Sequence, residues 1–127
     1  LCKMAANYLQ ERDGCIINIV DIYAERPLFN YSVYSISKAG LLMMTKTLAK
    51  EFGPHIRVNA VSPGSIAWPE GENALSVEQK ETVISSTALQ RHGNASAIAK
   101  AVLFFVRDAD YVTGQTLVVD GGRLLSI

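Results

Sequence analysis

Short apolar runs alternate along this chain with longer segments of helical periodicity. Three runs that are rich in β-branched residues and too short for helices predict strands over residues 15–20, 56–61 and 115–119. The first run does not alternate between polar and apolar positions, which is typical of a strand covered on both faces in a parallel sheet.

Helical periodicity occupies most of the remaining chain. It predicts a first helix that ends near Gly14 and further helices over residues 32–52, 76–85 and 95–107. In the second of these, the apolar band is too wide for a helix with one solvated side. This band comprises Ile36, Ala39, Gly40, Met43, Met44, Thr47, Leu48 and Phe52.

Strands that alternate with helices predict right-handed crossovers and a parallel sheet with helices on its faces. Three strands are fewer than the roughly six of a doubly wound nucleotide-binding sheet. No G-x-G-x-x-G or Walker loop occurs in the chain. We therefore expect an α/β fold that is one piece of a larger α/β layer with a parallel sheet.

The composition excludes several classes of protein. The 127 residues are 49% apolar with a formal net charge of zero, so they lack the basic excess expected for binding nucleic acid or a membrane surface. The longest uncharged apolar stretch, residues 39–44, is far too short to span a bilayer. Cys2 and Cys15 form neither a disulfide framework nor a metal cluster, which favours a cytoplasmic setting.

Tyr34 and Lys38 are the first candidates for chemistry. They lie four residues apart near the start of a predicted helix, so their side chains share one face. A nearby ammonium favours the phenolate, so such a pair suits a proton donor to a carbonyl or imine that receives a hydride. A simple surface contact between the two side chains is the alternative.

Three motifs follow one another in order: Tyr-x-x-x-Lys at residues 34–38, Asn-x-x-x-Pro-Gly at 59–64 and Asp-Gly-Gly at 120–122. Together they resemble the C-terminal half of a short-chain dehydrogenase/reductase, and the resemblance covers essentially the whole chain. It implies an α/β fold that is the C-terminal part of a doubly wound, Rossmann-type parallel sheet. Residues 1–127 would then be the C-terminal half of one such domain, without its N-terminal dinucleotide-binding half. It also implies a homotetramer for the complete enzyme.

Asp21 departs from the usual pattern of this family. Most members have a serine thirteen residues before the tyrosine, whereas this chain has an aspartate followed by Ile-Tyr-Ala-Glu-Arg-Pro. In that respect the chain resembles the pteridine reductases and dihydromonapterin reductases. A carboxylate can bind the N–H groups of a pterin ring and help to protonate it. The alternative is that Asp21 only caps the strand end or contacts Arg26.

The resemblance implies a role for each candidate residue. Tyr34 would donate the proton, Lys38 would bind the nicotinamide ribose and lower the pKa of the tyrosine, and Asp21 would orient the substrate. The cofactor would be NADPH, packed against Pro63, Gly64, Ser65 and Ile66. Trp68 either lines the substrate site or serves as a core anchor. His92 has no partner at catalytic or metal spacing and is expected to be an exposed loop residue.

Three functional hypotheses remain open at this level. The first is an NADPH-dependent reductase of pterins or of folate-like substrates, and the second is a reductase of a carbonyl compound such as a 3-oxoacyl derivative or a sugar. The third treats the 127 residues as a non-catalytic fragment that keeps oligomer contacts and binds NADPH weakly or not at all.

Overall fold

The structure is a computed structural model that describes residues 1–127. It contains four helices and three strands in the predicted order. The helices are α1 (Cys2–Gln10), α2 (Ser32–Phe52), α3 (Val77–Ser85) and α4 (Ala95–Arg107). The strands are β1 (Cys15–Ile19), β2 (Arg57–Pro63) and β3 (Thr116–Val119). Each predicted strand is present, with its bounds shifted by one or two residues.

The three strands form one parallel sheet in the order β1-β2-β3. Cys15 is opposite Arg57 at one end of the first pair, and Ile19 is opposite Val61 at the other. The carboxyl ends of all three strands therefore meet at the same edge of the sheet. In open α/β sheets this is the edge where ligands bind.

Helices cover both faces of β2, because successive side chains of a strand point in opposite directions. Val58 packs with Leu48 and Ala49 of α2 on one face. Val61 packs with Ala101 and Phe105 of α4 on the other. Burial of a large apolar side chain such as Phe105 contributes about 1.5–3 kcal/mol to stability. These two clusters support the edge of the sheet at which the carboxyl ends of the strands meet. The predicted α/β layering is confirmed.

The wide apolar band predicted for α2 is only partly buried. Leu48 of the band is buried against the sheet, together with Thr45 and Ala49 from outside the band, because only one face of α2 meets β2. Other members of the band are exposed to solvent: Ile36, Met43 and Met44 have 71%, 60% and 39% of their surface accessible. Met43 and Met44 therefore do not belong to the core of this chain.

Side-chain caps define the starts of α3 and α4. Ser76 and Gln79 form a capping box at the start of α3, with the two reciprocal hydrogen bonds at 3.2 and 2.8 Å. The Asn94 side chain accepts a bond from the Ala97 N–H at the start of α4. No helix of the chain combines the length and the apolar character needed to cross a membrane.

Candidate active site

A cavity of about 440 Å³ opens at the carboxyl ends of the strands, beside the start of α2. Its wall includes Asp21 after β1, Tyr34 on α2, and Gly64 and Ser65 after β2. Further residues of the loop between β2 and α3, and Arg123 after β3, complete the lining. The strand ends predicted to converge on a ligand site are therefore neighbours in the fold.

Asp21 makes two different hydrogen bonds at this edge. One carboxylate oxygen, Oδ1, accepts a bond of 3.0 Å from the Tyr23 N–H and so caps the short turn Ile22–Ala24. The other oxygen, Oδ2, accepts a bond of 2.7 Å from the Tyr34 hydroxyl. Asp21 makes no ion pair with Arg26. The cap foreseen as an alternative role is thus present, and it holds the carboxylate against the phenol.

The Tyr34 phenol is held in its protonated form. Partial burial, the hydrogen bond to Asp21 and the negative charge of that carboxylate all raise the pKa of Tyr34 above its ordinary value of about 10. Asp21 is in direct contact with the hydroxyl, and the net effect of its surroundings is a raised pKa of Tyr34. That Lys38 lowers the pKa of the tyrosine stays a prediction.

Lys38 is tied to the backbone at the end of β1. Its Nζ donates to the carbonyl oxygen of Ile19 at 3.1 Å and lies 3.5 Å from that of Val20. The same nitrogen is 5.7 Å from the centre of the Tyr34 ring. An ammonium has three donors, so these contacts leave capacity for a further acceptor beside the phenol. Lys38 lies behind the cavity wall rather than on it.

The turn after β2 lies very close to the turn after β3. The Gly64 N–H donates to Val119 O at 3.1 Å, and a Cβ on Gly64 would be 2.6 Å from the Cβ of Asp120. Only glycine fits at such an approach. The next backbone N–H groups, those of Ser65, Ile66 and Ala67, have no hydrogen-bond partner within the chain. The Ile66 side chain packs against Gly93, away from the cavity.

Trp68 lines the cavity and is held between two side chains. Its ring stacks on His92, with centroids 4.1 Å apart and an interplanar angle of 24°. Lys80 Nζ lies 5.6 Å from the same ring, within cation–π range. The expectation that His92 is an exposed loop residue is wrong: it is half-buried, and its Nε2 is buried without a hydrogen bond. Trp68 packs between neighbouring side chains and also faces the cavity, and its role in binding substrate stays a prediction.

Asn59 acts behind the site rather than in it. The side chain is fully buried, donates to Val112 O at 2.7 Å and accepts from the Gln115 N–H at 2.9 Å. It therefore clamps the segment that leads into β3. Asn59 is not among the residues that line the cavity.

Two features of the cavity were not foreseen from the sequence. The Tyr31 hydroxyl donates to Asn73 Oδ1 at 3.1 Å and so bridges the start of α2 and the loop before α3. Arg123, which comes directly after the Asp-Gly-Gly motif, also lines the cavity. The only signal for Arg123 was a positive charge beside two glycines, and this pattern does not show where the side chain lies.

Comparison with known proteins places this geometry in a family. A family model described as enoyl-(acyl carrier protein) reductase matches residues 1–123. The 3-oxoacyl-acyl-carrier-protein reductase of Thermotoga maritima is 42% identical over 97% of this chain and 51% of its own length. Carbonyl reductase family member 4 of Xenopus tropicalis is 37% identical over 99% of this chain and 52% of its own.

A solved structure agrees with these matches. The acetoin dehydrogenase from Salmonella typhimurium has a TM-score of 0.83 and 35% identity, over 99% of this chain and 50% of that one. The chain thus spans about half the length of the relatives that it matches. Because the family model covers almost every residue and these relatives are similar from end to end of the chain, the chain belongs to the short-chain dehydrogenase/reductase family.

Proposed function

We propose that the protein is a nicotinamide-dependent reductase of a carbonyl compound, with Tyr34 as the proton donor. The hydrogen bond of 2.7 Å that holds the Tyr34 hydroxyl against Asp21 at the cavity wall carries this proposal. Relatives named as 3-oxoacyl, carbonyl and L-xylulose reductases support a carbonyl substrate. None of the relatives reported above is named as a pterin reductase, so the carbonyl alternative is favoured over the pterin hypothesis.

The chain supplies a proton at a defined atom. At neutral pH the raised pKa keeps Tyr34 protonated, and its hydroxyl hydrogen can rotate from Asp21 Oδ2 towards a substrate oxygen. An alkoxide is a stronger base than a phenolate, so the proton transfers as negative charge develops on that oxygen. Asp21 then disfavours a lasting phenolate beside it, which drives Tyr34 to take up a proton again.

The residues present fit a nicotinamide cofactor. Lys38 has donor capacity left beside Tyr34, and three consecutive backbone N–H groups after Gly64 have no partner. These are suitable donors for ribose hydroxyls and for a carboxamide, so Tyr34, Lys38, Ser65 and Ile66 would hold the nicotinamide end. When bound, the cofactor supplies the hydride. NADPH follows from the family resemblance alone and remains a prediction.

A comparison of substrates tests the proposal. The full-length protein would be incubated with NADPH or NADH and with a 3-oxoacyl thioester, a simple ketone, a ketose or a dihydropterin. Oxidation of the cofactor by a carbonyl compound, with little by the dihydropterin, is the expected result. If only the dihydropterin is turned over, the carbonyl proposal is wrong.

Reduction of a pterin is the second candidate, and Asp21 is the observation that favours it. A carboxylate stands where most of the family has serine, and it is in contact with the proton donor. An Asp21→Ser variant separates the two functions. Pterin turnover would fall and ketone reduction would rise if Asp21 serves a pterin, whereas an unchanged pterin rate would count against this role.

For the whole protein, we infer that this chain is the C-terminal half of a single domain and that the active form is a cytoplasmic homotetramer. The apolar side chains of Ile36 and Met43, exposed on α2, support a partner on that face. Titration of NADPH against residues 1–127 alone tests the fragment hypothesis, and we expect weak binding or none.

A further inference from the structure

Arg123 lines the cavity, and three of the five N–H donors of its guanidinium are free. Its Nη1 donates to Val83 O at 3.1 Å and to Ser86 Oγ at 2.6 Å on α3. Its Nε and Nη2 donate to no acceptor in the chain, and no carboxylate is within ion-pair distance. The side chain is half-buried and therefore less exposed to water than a surface arginine. A positive charge without a counterion thus faces the substrate space.

The backbone around Arg123 is fixed by the Asp-Gly-Gly motif. Asp120 accepts bonds of 2.7 Å from the N–H groups of both Gly122 and Leu124. Gly121 and Gly122 have φ angles of 67° and 83°, in the left-handed region that favours glycine. The chain thereby turns back at the end of β3 and brings Arg123 to the cavity wall. The arginine is placed by its local backbone and is not a flexible surface side chain.

Arg107 shows what the free edge of Arg123 is suited to bind. Arg107 uses its Nε and Nη2, each at 2.9 Å, to grip the two oxygens of the Asp108 carboxylate. This edge presents two parallel N–H groups that match the geometry of a carboxylate. Arg123 has the same edge free, because its structural bonds use Nη1 alone.

We propose that Arg123 is a substrate-recognition residue that binds a carboxylate through its Nε and Nη2. The inference rests on the proposed function, since it takes the other end of the substrate to be the carbonyl that meets Tyr34. The substrate is then an oxo acid, a carbonyl compound that also carries a carboxylate. Tyr31 and Trp68 on the wall of the same cavity favour a flat or aromatic body between the two groups.

A matched pair of substrates tests the role of Arg123. 4-Acetylbenzoate carries a ketone and a carboxylate at opposite ends of a benzene ring, whereas its methyl ester has the same ketone without the charge. In the full-length protein, Arg123→Gln should lower kcat/KM for the acid roughly 10- to 100-fold, mainly through KM, because a charge-assisted contact is lost. The value for the ester should change less than about threefold.

Two further variants separate recognition from folding. Arg123→Lys keeps the charge and one bond to α3 but lacks the planar two-donor edge, so it should fold as the wild type does and lose most of the preference for the acid. Arg107→Gln, at an exposed arginine outside the cavity, is the matched control and should leave both substrates unaffected. If Arg123→Gln slows acid and ester equally, its role is structural only and the proposal is overturned.

Binding measured without turnover distinguishes this proposal from the proposed function. Calorimetric titration with benzoate should give binding to the wild type that Arg123→Gln abolishes. Tighter binding of phenyl phosphate than of benzoate would overturn the assignment of a carboxylate. If benzoate binds through Arg123 but no ketone is reduced with either cofactor, the proposed reaction is wrong while the anion site stands. If ketones are reduced without preference for the acid, the anion site is wrong while the reaction stands.

Discussion

The hydroxyl of Tyr34 donates a hydrogen bond of 2.7 Å to the carboxylate of Asp21, thirteen residues earlier in the chain. The two side chains come from different elements, since Asp21 follows β1 and Tyr34 lies in the first turn of α2. The bond couples the acidity of the phenol to the charge of the carboxylate. The behaviour of one residue can therefore be measured by changing the other.

Asp21→Asn should lower the pKa of Tyr34 relative to that in the wild type. The substitution keeps an oxygen that can accept the hydrogen bond but removes the negative charge that opposes ionisation. Ultraviolet titration of tyrosinate, with Tyr34→Phe as the reference spectrum, measures the change. A pKa that stays the same or rises would show that the charge of Asp21 does not act on the phenol.

The stability of the protein should depend on Tyr34 at alkaline pH. Its pKa is higher in the folded chain than the value of about 10 in the unfolded chain. The contribution of the neutral phenol is therefore complete below about pH 10 and is lost as the pH rises further. Urea unfolding measures the free energy of unfolding of the wild type and of Tyr34→Phe. The difference between the two should be constant below about pH 10 and should change above it.

Tyr34→Phe should reduce kcat/KM for the carbonyl substrate roughly 10²- to 10⁴-fold, the usual contribution of a positioned acid. Affinity for the cofactor should change little, because Lys38 and the backbone after Gly64 remain. Steady-state kinetics together with a binding titration would separate these effects. Tyr111→Phe, at a fully exposed tyrosine, is the control. Retention of full activity by Tyr34→Phe would remove Tyr34 from the chemistry.

Gly64→Ala should destabilise the fold by about 1–3 kcal/mol, because the new methyl group would overlap the backbone and Cβ of Asp120. Gly40→Ala is a matched control in the middle of α2, where a Cβ meets nothing within 4 Å. That change should raise stability by roughly 0.5–1 kcal/mol through helix propensity. Chemical denaturation measures both, and equal effects at the two glycines would contradict the close approach at Gly64.

Asn59→Ala should lower the free energy of unfolding by about 2–4 kcal/mol. It removes a buried amide and leaves both Val112 O and the Gln115 N–H without a partner. Asn7→Ala, at an exposed asparagine of α1, should change stability by less than about 0.5 kcal/mol. Urea denaturation of both variants is the measurement, and a similar small loss for both would show that the clamp contributes little.

The features that the sequence predicted well depend on local pattern. β-branched apolar runs predicted all three strands, and α2 spans residues 32–52 as expected because its periodicity is long. Tyr34 and Asp21 were correctly recognised as neighbours of one site, since strand ends in a parallel sheet share an edge. Each of these inferences needs only residues that are close in the chain or fixed by topology.

The remaining features depend on contacts between loops. The stacking of Trp68 on His92 joins residues 24 positions apart that belong to no regular element. The position of Arg123 results from the turn at Asp120, which carries no hydrophobic periodicity. The pKa of Tyr34 depends on its partial burial and on its contact with Asp21, and spacing along a helix determines neither. These contacts could not be predicted from the sequence.

The proton donor and the proposed anion anchor are attached to parts of the fold that differ in local stability. Tyr34 and Asp21 adjoin β1 and the buried core of α2, whereas Arg123 is tied to α3, a helix without a single buried residue. Elements with little burial open at lower free energy than the whole domain. Amide hydrogens of α3 should therefore exchange faster than those of β2. We expect ligands to enter and leave through local opening beside Arg123, while Tyr34 stays in place.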